Sequence, residues 1–104
     1  GLVCHSWSVT PRPSDWRPRV SPQLPVLMVH AQHDVATPLT SASHNSDAIP
    51  GARLVVAQGM RGHIIHGRSR TPCIEHAVGR YLLTGELPAT KHSACEYVAR
   101  EVAR

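Results

Sequence analysis

The chain has no phenylalanine, and two tryptophans and two tyrosines are its entire aromatic complement across 104 residues. Aromatic side chains supply a large share of the area a core buries, so this composition argues against a large self-sufficient core. Uninterrupted apolar runs are also short. None approaches the roughly 18 residues that a membrane span requires, which excludes a membrane-spanning segment from these residues. Lysine is nearly missing, with Lys91 alone, and the net charge of +4 comes from arginines scattered from Arg12 to Arg104. Basicity of that kind serves nucleic-acid binding when it is clustered and interleaved with stacking aromatics. Here it is neither, so nucleic acid is not an expected partner and the arginines read as a solvated surface. No internal repeat or low-complexity tract is present. The length suits one small domain, and is about half of what a complete doubly wound α/β domain uses.

What the chain does contain begins at Leu24-Pro25-Val26-Leu27-Met28-Val29-His30-Ala31-Gln32-His33-Asp34. Val26 to Val29 is apolar without alternation, the pattern of a strand covered on both faces, and such strands belong to α/β sheets. Asp34 falls just past the strand, where open parallel sheets place their working residues. Thr37-Pro38 reads as a helix start, a capping hydroxyl followed by a proline pre-set for the first turn. The helix it opens covers about 38–48 and is weakened by Ser, Asn and Asp in its later turns. Pro50-Gly51 breaks the chain before a second strand, Ala52 to Ala57, and the glycine-bounded loop Gly59 to Gly62 then delivers His63. Thr71-Pro72 opens a second helix, with Ile74, Ala77, Val78, Tyr81 and Leu82 at helical spacing and Gly85 as its stop. The expected fold is therefore α/β, two parallel strands with flanking helices and one open sheet edge. Residues 1–25 carry five prolines and predict an extended lead-in, with Trp7 and Trp16 as its packing residues. The stretch from Ala94 onward predicts a weak amphipathic helix or a frayed terminus, leaving 96–104 as a tail.

An acid after one strand and a histidine after the next is chemically suggestive. A catalytic histidine needs a carboxylate on its second ring nitrogen to fix the tautomer and stabilise the imidazolium, and Asp34 and His63 are candidates for that pair. Taken singly, each has an ordinary explanation, Asp34 as a turn acid and His63 as a loop residue held between glycines. No nucleophile accompanies them, because no Gly-x-Ser-x-Gly elbow occurs in these residues. Where that elbow is used the chain order is Ser, Asp, His, so the serine is expected before residue 1. The start at Gly1, without an initiator methionine, agrees with a C-terminal part of a longer or processed enzyme. Ser69, in Gly67-Arg68-Ser69-Arg70, lacks the elbow's second glycine and comes after the histidine. His30, His33, Asp34, His63 and His66 invite a zinc reading. Positions 30 and 33 of a strand point to opposite faces, however, and no helical His-Glu-x-x-His aligns two rings, so no metal and no cofactor are expected. His30 reads as a strand-end residue bonded to its neighbours, and His33 as a turn residue beside Asp34.

A wider pattern joins these pieces: Cys4-His5-Ser6-Trp7, Leu24-Pro25-Val26-Leu27, His33-Asp34, Ala36-Thr37-Pro38, Pro50-Gly51-Ala52-Arg53-Leu54-Val55, Gly62-His63, Cys73, Tyr81-Leu82-Leu83-Thr84-Gly85-Glu86-Leu87-Pro88 and Cys95. It resembles the TAP-like C-terminal region of tripeptidyl aminopeptidase-type α/β-hydrolases, over roughly residues 4–95. The resemblance implies the C-terminal portion of an α/β-hydrolase fold, with Asp34 as the acid and His63 as the base of a Ser-Asp-His triad. It implies hydrolysis of a peptide or ester substrate, as in an exopeptidase releasing short peptides from protein N-termini. The partner it implies is the N-terminal part of the same hydrolase, which carries the serine. One departure is Ile64-Ile65, where relatives often have a small or hydroxyl residue after the histidine. A noncatalytic binding or regulatory fragment with a hydrolase-derived fold is the alternative. A bridge between Cys73 and Cys95 would clamp the second helix and its return, whereas three reduced thiols are the competing reading. In relatives a cysteine near the Cys4 position tends to pair with one in the preceding part of the enzyme. A disulfide framework would indicate a secreted or extracellular protein.

Overall fold

The computed structural model describes residues 5–6, 8–16 and 19–99. The expectations for Cys4, for Trp7 and for the last five residues therefore lie outside the described residues. The elements run in the order β1 (Val26–His33), α1 (Leu39–Ala48), β2 (Ala52–Arg61), α2 (Pro72–Thr84) and β3 (His92–Glu96). All three strands lie in one parallel sheet in the order β1-β2-β3. Val26 pairs with Ala52 through to Ala31 with Ala57, and Leu54 pairs with His92 through to Gln58 with Glu96.

The central strand is the one with the most continuous burial. Ala52, Leu54, Val55 and Ala57 of β2 are all buried, as an unalternating parallel strand covered on both faces requires. The core gathers Ala31, Val55, Ala57, Met60, Ile65, Ile74, Val78 and Cys95, with Leu27, Val29 and Tyr97 packed against it. It is built from small aliphatic side chains, as the shortage of aromatics predicts. From α2, Ile74 and Val78 turn inward, and complete burial of one such isoleucine contributes about 1.5–3 kcal/mol. Leu82 and Leu83, on the outer side of the same helix, are exposed.

Both helices begin at the Thr-Pro pairs, as expected, but neither threonine caps. Pro38 is the N-cap residue of α1, and Thr71, the N-cap of α2, makes no side-chain cap bond. The buried Thr71 hydroxyl instead accepts the Val98 N–H at 3.5 Å. Gly85 ends α2 in the left-handed conformation, and its N–H returns to the Tyr81 carbonyl.

The third strand is the main addition to the expected fold. Ala94 onward carries Glu96 and Arg100 at helical spacing and no apolar run, so local sequence favours no strand. Tertiary context overrides it: β2 offers its second edge, and a disulfide joins Cys95 of β3 to Cys73 of α2 with the Cα atoms 5.7 Å apart. Cys73 lies inside the first turn of α2. Lys91, just before β3, donates to the Ile49 and Ala52 carbonyls at 2.8 and 3.0 Å, tying the strand to the end of α1.

The described residues of the lead-in are largely exposed and turn at 14–15 and 22–23; Trp16, expected to pack, is 46 % exposed, with the Arg12 guanidinium 4.1 Å from the centre of its ring. Its last residues press on the break before β2. A side chain at Gly51 would place its Cβ only 2.0 Å from the Leu24 carbonyl oxygen, so the close passage of the two backbones requires glycine there. Val26 donates to the Gly51 carbonyl, and the Tyr81 hydroxyl donates to the Pro25 carbonyl at 2.9 Å.

Candidate active site

The carboxyl ends of β1 and β2 meet at an irregularity. After Ala31 pairs with Ala57, the next partners are His33 and Arg61, so Gln58, Gly59 and Met60 lie opposite Gln32 alone. Extra residues of this kind bend a strand and re-aim the chain beyond it. Gly59 takes φ +83°, a conformation that favours glycine, and its N–H is held by the Gln32 side-chain oxygen at 2.7 Å. The bend brings the segment after β2 back toward the segment after β1. Asp34 and His63 come together there.

Asp34 Oδ2 and His63 Nδ1 are 2.8 Å apart. The carboxylate is otherwise occupied by its own turn: Oδ1 accepts the N–H groups of Ala36 and Thr37, each at 2.8 Å. Thr37 Oγ1 donates to Oδ2 at 3.2 Å. The Asp34 side chain is only 3 % exposed. Its carboxyl group is held far below the ordinary carboxylate range, first by the Thr37 backbone N–H, then by His63, the Ala36 N–H and the Thr37 hydroxyl, against an upward pull from burial. An ionised carboxylate only accepts, so the proton in the shared bond sits on Nδ1 of His63. Nε2 is left as the acceptor, and it has no hydrogen-bond partner among the described residues. His63 itself is 45 % exposed. The arrangement is an oriented imidazole with a basic nitrogen available to an incoming group.

Two further residues build this site, and the sequence gives neither of them this role. Thr37 has the signature of a helix cap. In the structure its hydroxyl lies between Asp34 Oδ2 and His63 Nδ1, 3.3 Å from the latter. His30 donates from Nε2 to the Thr37 carbonyl at 2.8 Å, which braces the turn from inside β1. The bonding of His30 to its neighbours is legible in the sequence, but the particular partner is not. His33 closes β1 on the exposed side and stands apart from the pair's hydrogen bonds.

The remaining candidates separate from the pair. His66 binds Glu75 rather than Asp34. Ser69 is buried, with its Oγ accepting the Thr71 N–H at 3.2 Å, so it is part of the loop framework. No group of three or more His, Cys, Asp or Glu side chains converges as a metal would need, among the described residues. A cavity of about 450 Å³ between α2, β3 and the segment joining them is lined by Cys73, His76, Arg80 and Glu86, and it shares no lining residue with the pair.

Comparison with known proteins gives this geometry a setting. The family model described as TAP-like protein matches residues 1–95. The chain is 37 % identical over 65 residues to a tripeptidyl aminopeptidase of Streptomyces lividans, a match covering 62 % of this chain and 12 % of that protein. It is 38 % identical over 61 residues to a tripeptidyl aminopeptidase of Streptomyces coelicolor, covering 59 % of this chain and 11 % of that protein. The aligned part of the chain is thus a small fraction of the length of these relatives. No solved structure matches it significantly.

Proposed function

The chain belongs to the TAP-like protein family, and from that premise we propose that it supplies the acid and base of a serine hydrolase. In this reading the chain is the C-terminal part of a longer hydrolase. The rest of that protein brings the serine nucleophile, since the 104 residues contain no Gly-x-Ser-x-Gly. The observation that carries the reading is the 2.8 Å bond between Asp34 and His63, which leaves Nε2 as the acceptor.

That tautomer determines the chemistry. His63 Nε2 takes the proton of the serine hydroxyl as the oxygen attacks the scissile carbonyl. The resulting imidazolium is stabilised by Asp34 across the Nδ1 bond, and His63 then returns the proton to the departing amine or alcohol. The oxyanion donors come from the nucleophile turn and an earlier loop, as in other hydrolases of this architecture. The names of the two Streptomyces relatives support an exopeptidase releasing short peptides from protein N-termini. The Cys73–Cys95 bridge supports a secreted protein, because such bonds persist in oxidising compartments.

In the complete protein, His63→Ala and Asp34→Asn each lower kcat on a tripeptidyl chromogenic substrate by about 10³- to 10⁴-fold. Turnover within a few-fold of the parent in either variant refutes the assignment. The absence of the elbow from these residues also leaves a second reading, a noncatalytic binding or regulatory segment with a hydrolase-derived fold. Gly-x-Ser-x-Gly in the gene sequence upstream distinguishes the two.

A further inference from the structure

His63 is held at hydrogen-bond distance from Asp34 although nearly half of its side chain is exposed. The residue after it, Ile64, has φ +60°, a left-handed conformation that a β-branched residue rarely adopts. Strain of this kind persists only where the surroundings over-determine it. Ile65 supplies one restraint, because its side chain is buried in the core and its carbonyl accepts the Ser69 N–H at 2.9 Å. The other restraint comes from outside the loop. Glu75 uses both carboxylate oxygens on it: Oε1 accepts the Gly67 N–H at 2.7 Å, and Oε2 lies 2.7 Å from Nδ1 of His66.

Glu75 is well placed to act as an anchor. It stands in the first turn of α2, two residues after the crosslinked Cys73 and next in sequence to the fully buried Ile74. The far end of the helix is tied to the start of β1 by Tyr81. An acid in a first turn is favoured by the helix dipole alone. That general preference does not account for two bonds to residues three and four positions beyond His63.

We propose that Glu75 is a positioning residue for His63, fixing the loop through Gly67 and His66 so that Ile64 keeps its left-handed turn and Nδ1 stays on Asp34. Its effect on turnover rests on the catalytic role proposed above, whereas its effect on ring geometry concerns this chain alone. The test compares Glu75→Ala with Glu75→Gln in the complete protein, reading the ring-nitrogen chemical shifts of His63 beside kcat and KM.

In the parent, the shifts report a proton on Nδ1 and a bare Nε2 at mildly alkaline pH. Glu75→Ala moves them toward the tautomer mixture of a free imidazole and lowers kcat about ten-fold with KM nearly unchanged, since small misplacement of a reacting group costs rate steeply. Glu75→Gln, whose side-chain oxygen still accepts the Gly67 N–H, restores most of both. Parent-like His63 shifts in Glu75→Ala overturn the proposal. If that variant does not fold, His66→Ala cuts one of the two ties and is read in the same way. His63→Ala serves as the parallel control. Should it retain turnover, the catalytic reading fails, and the ring shifts still decide the positioning claim.

Discussion

Asp34 is acceptor to two backbone N–H groups and a hydroxyl of its own turn, and to the imidazole of His63 from the loop after β2. Those donors all favour the ionised form, so the folded state holds its proton less tightly than the unfolded chain does. A carboxyl depressed on folding stabilises the protein above its unfolded pKa, near 4, and loses that contribution as the pH falls below it. The urea midpoint of the parent should therefore drop between about pH 4 and pH 2 more steeply than that of Asp34→Asn, which has no such group to titrate. Equal acid losses in the two proteins would contradict the bonding described for Asp34. At this turn the linear order of residues reveals part of the site and conceals the rest. Asp34 and His63 are legible because each comes after a recognisable strand and both fall in a family pattern. Thr37 is not, because Thr-Pro before a helical stretch satisfies the capping signature, and nothing in the linear order says that the hydroxyl turns back to a carboxylate three residues earlier.

Among the elements, α2 reaches the loop that follows His63 through Glu75. Apolar spacing, a first-turn proline and a terminal glycine predict it from sequence, and the observed span, Pro72–Thr84, agrees. Its bridge to β3 closes a loop of 22 residues. A crosslink of that length contributes roughly 3 kcal/mol by restricting the unfolded chain. Replacing both Cys73 and Cys95 by serine should lower the unfolding free energy by about that amount in denaturant titration. Hydrogen exchange in the same variant should rise in the segment from His63 to Glu75, which hangs from the bridged end of α2. Unchanged exchange there would mean that the loop is held without the bridge. The strand β3 escapes sequence reasoning because its stability lies in partners remote along the chain. Only Cys95 of its five residues is buried, and a short polar stretch with acid and base four apart resembles a helix until the edge of β2 is available.

Taken whole, the molecule is a narrow parallel sheet with β2 at its centre and β1 and β3 each paired on one side among the described residues. The residues next to the Asp34–His63 pair are apolar and open, with Val35 90 % and Ile64 61 % exposed. On α2, Leu83 is 87 % exposed. Side chains of this kind, and strands half-paired in a parallel sheet, fit a surface covered by more of an α/β body. The short span of the chain against its Streptomyces relatives supports the same reading. That Asp34 and His63 work on a serine brought by the preceding part of the protein is best tested by hydrolysis of a tripeptidyl chromogenic substrate, by the 104-residue chain alone and by the same chain joined to that preceding part. The expected outcome is no turnover above background from the chain alone and steady turnover from the joined protein; turnover by the chain alone, or none from the joined protein, would contradict it.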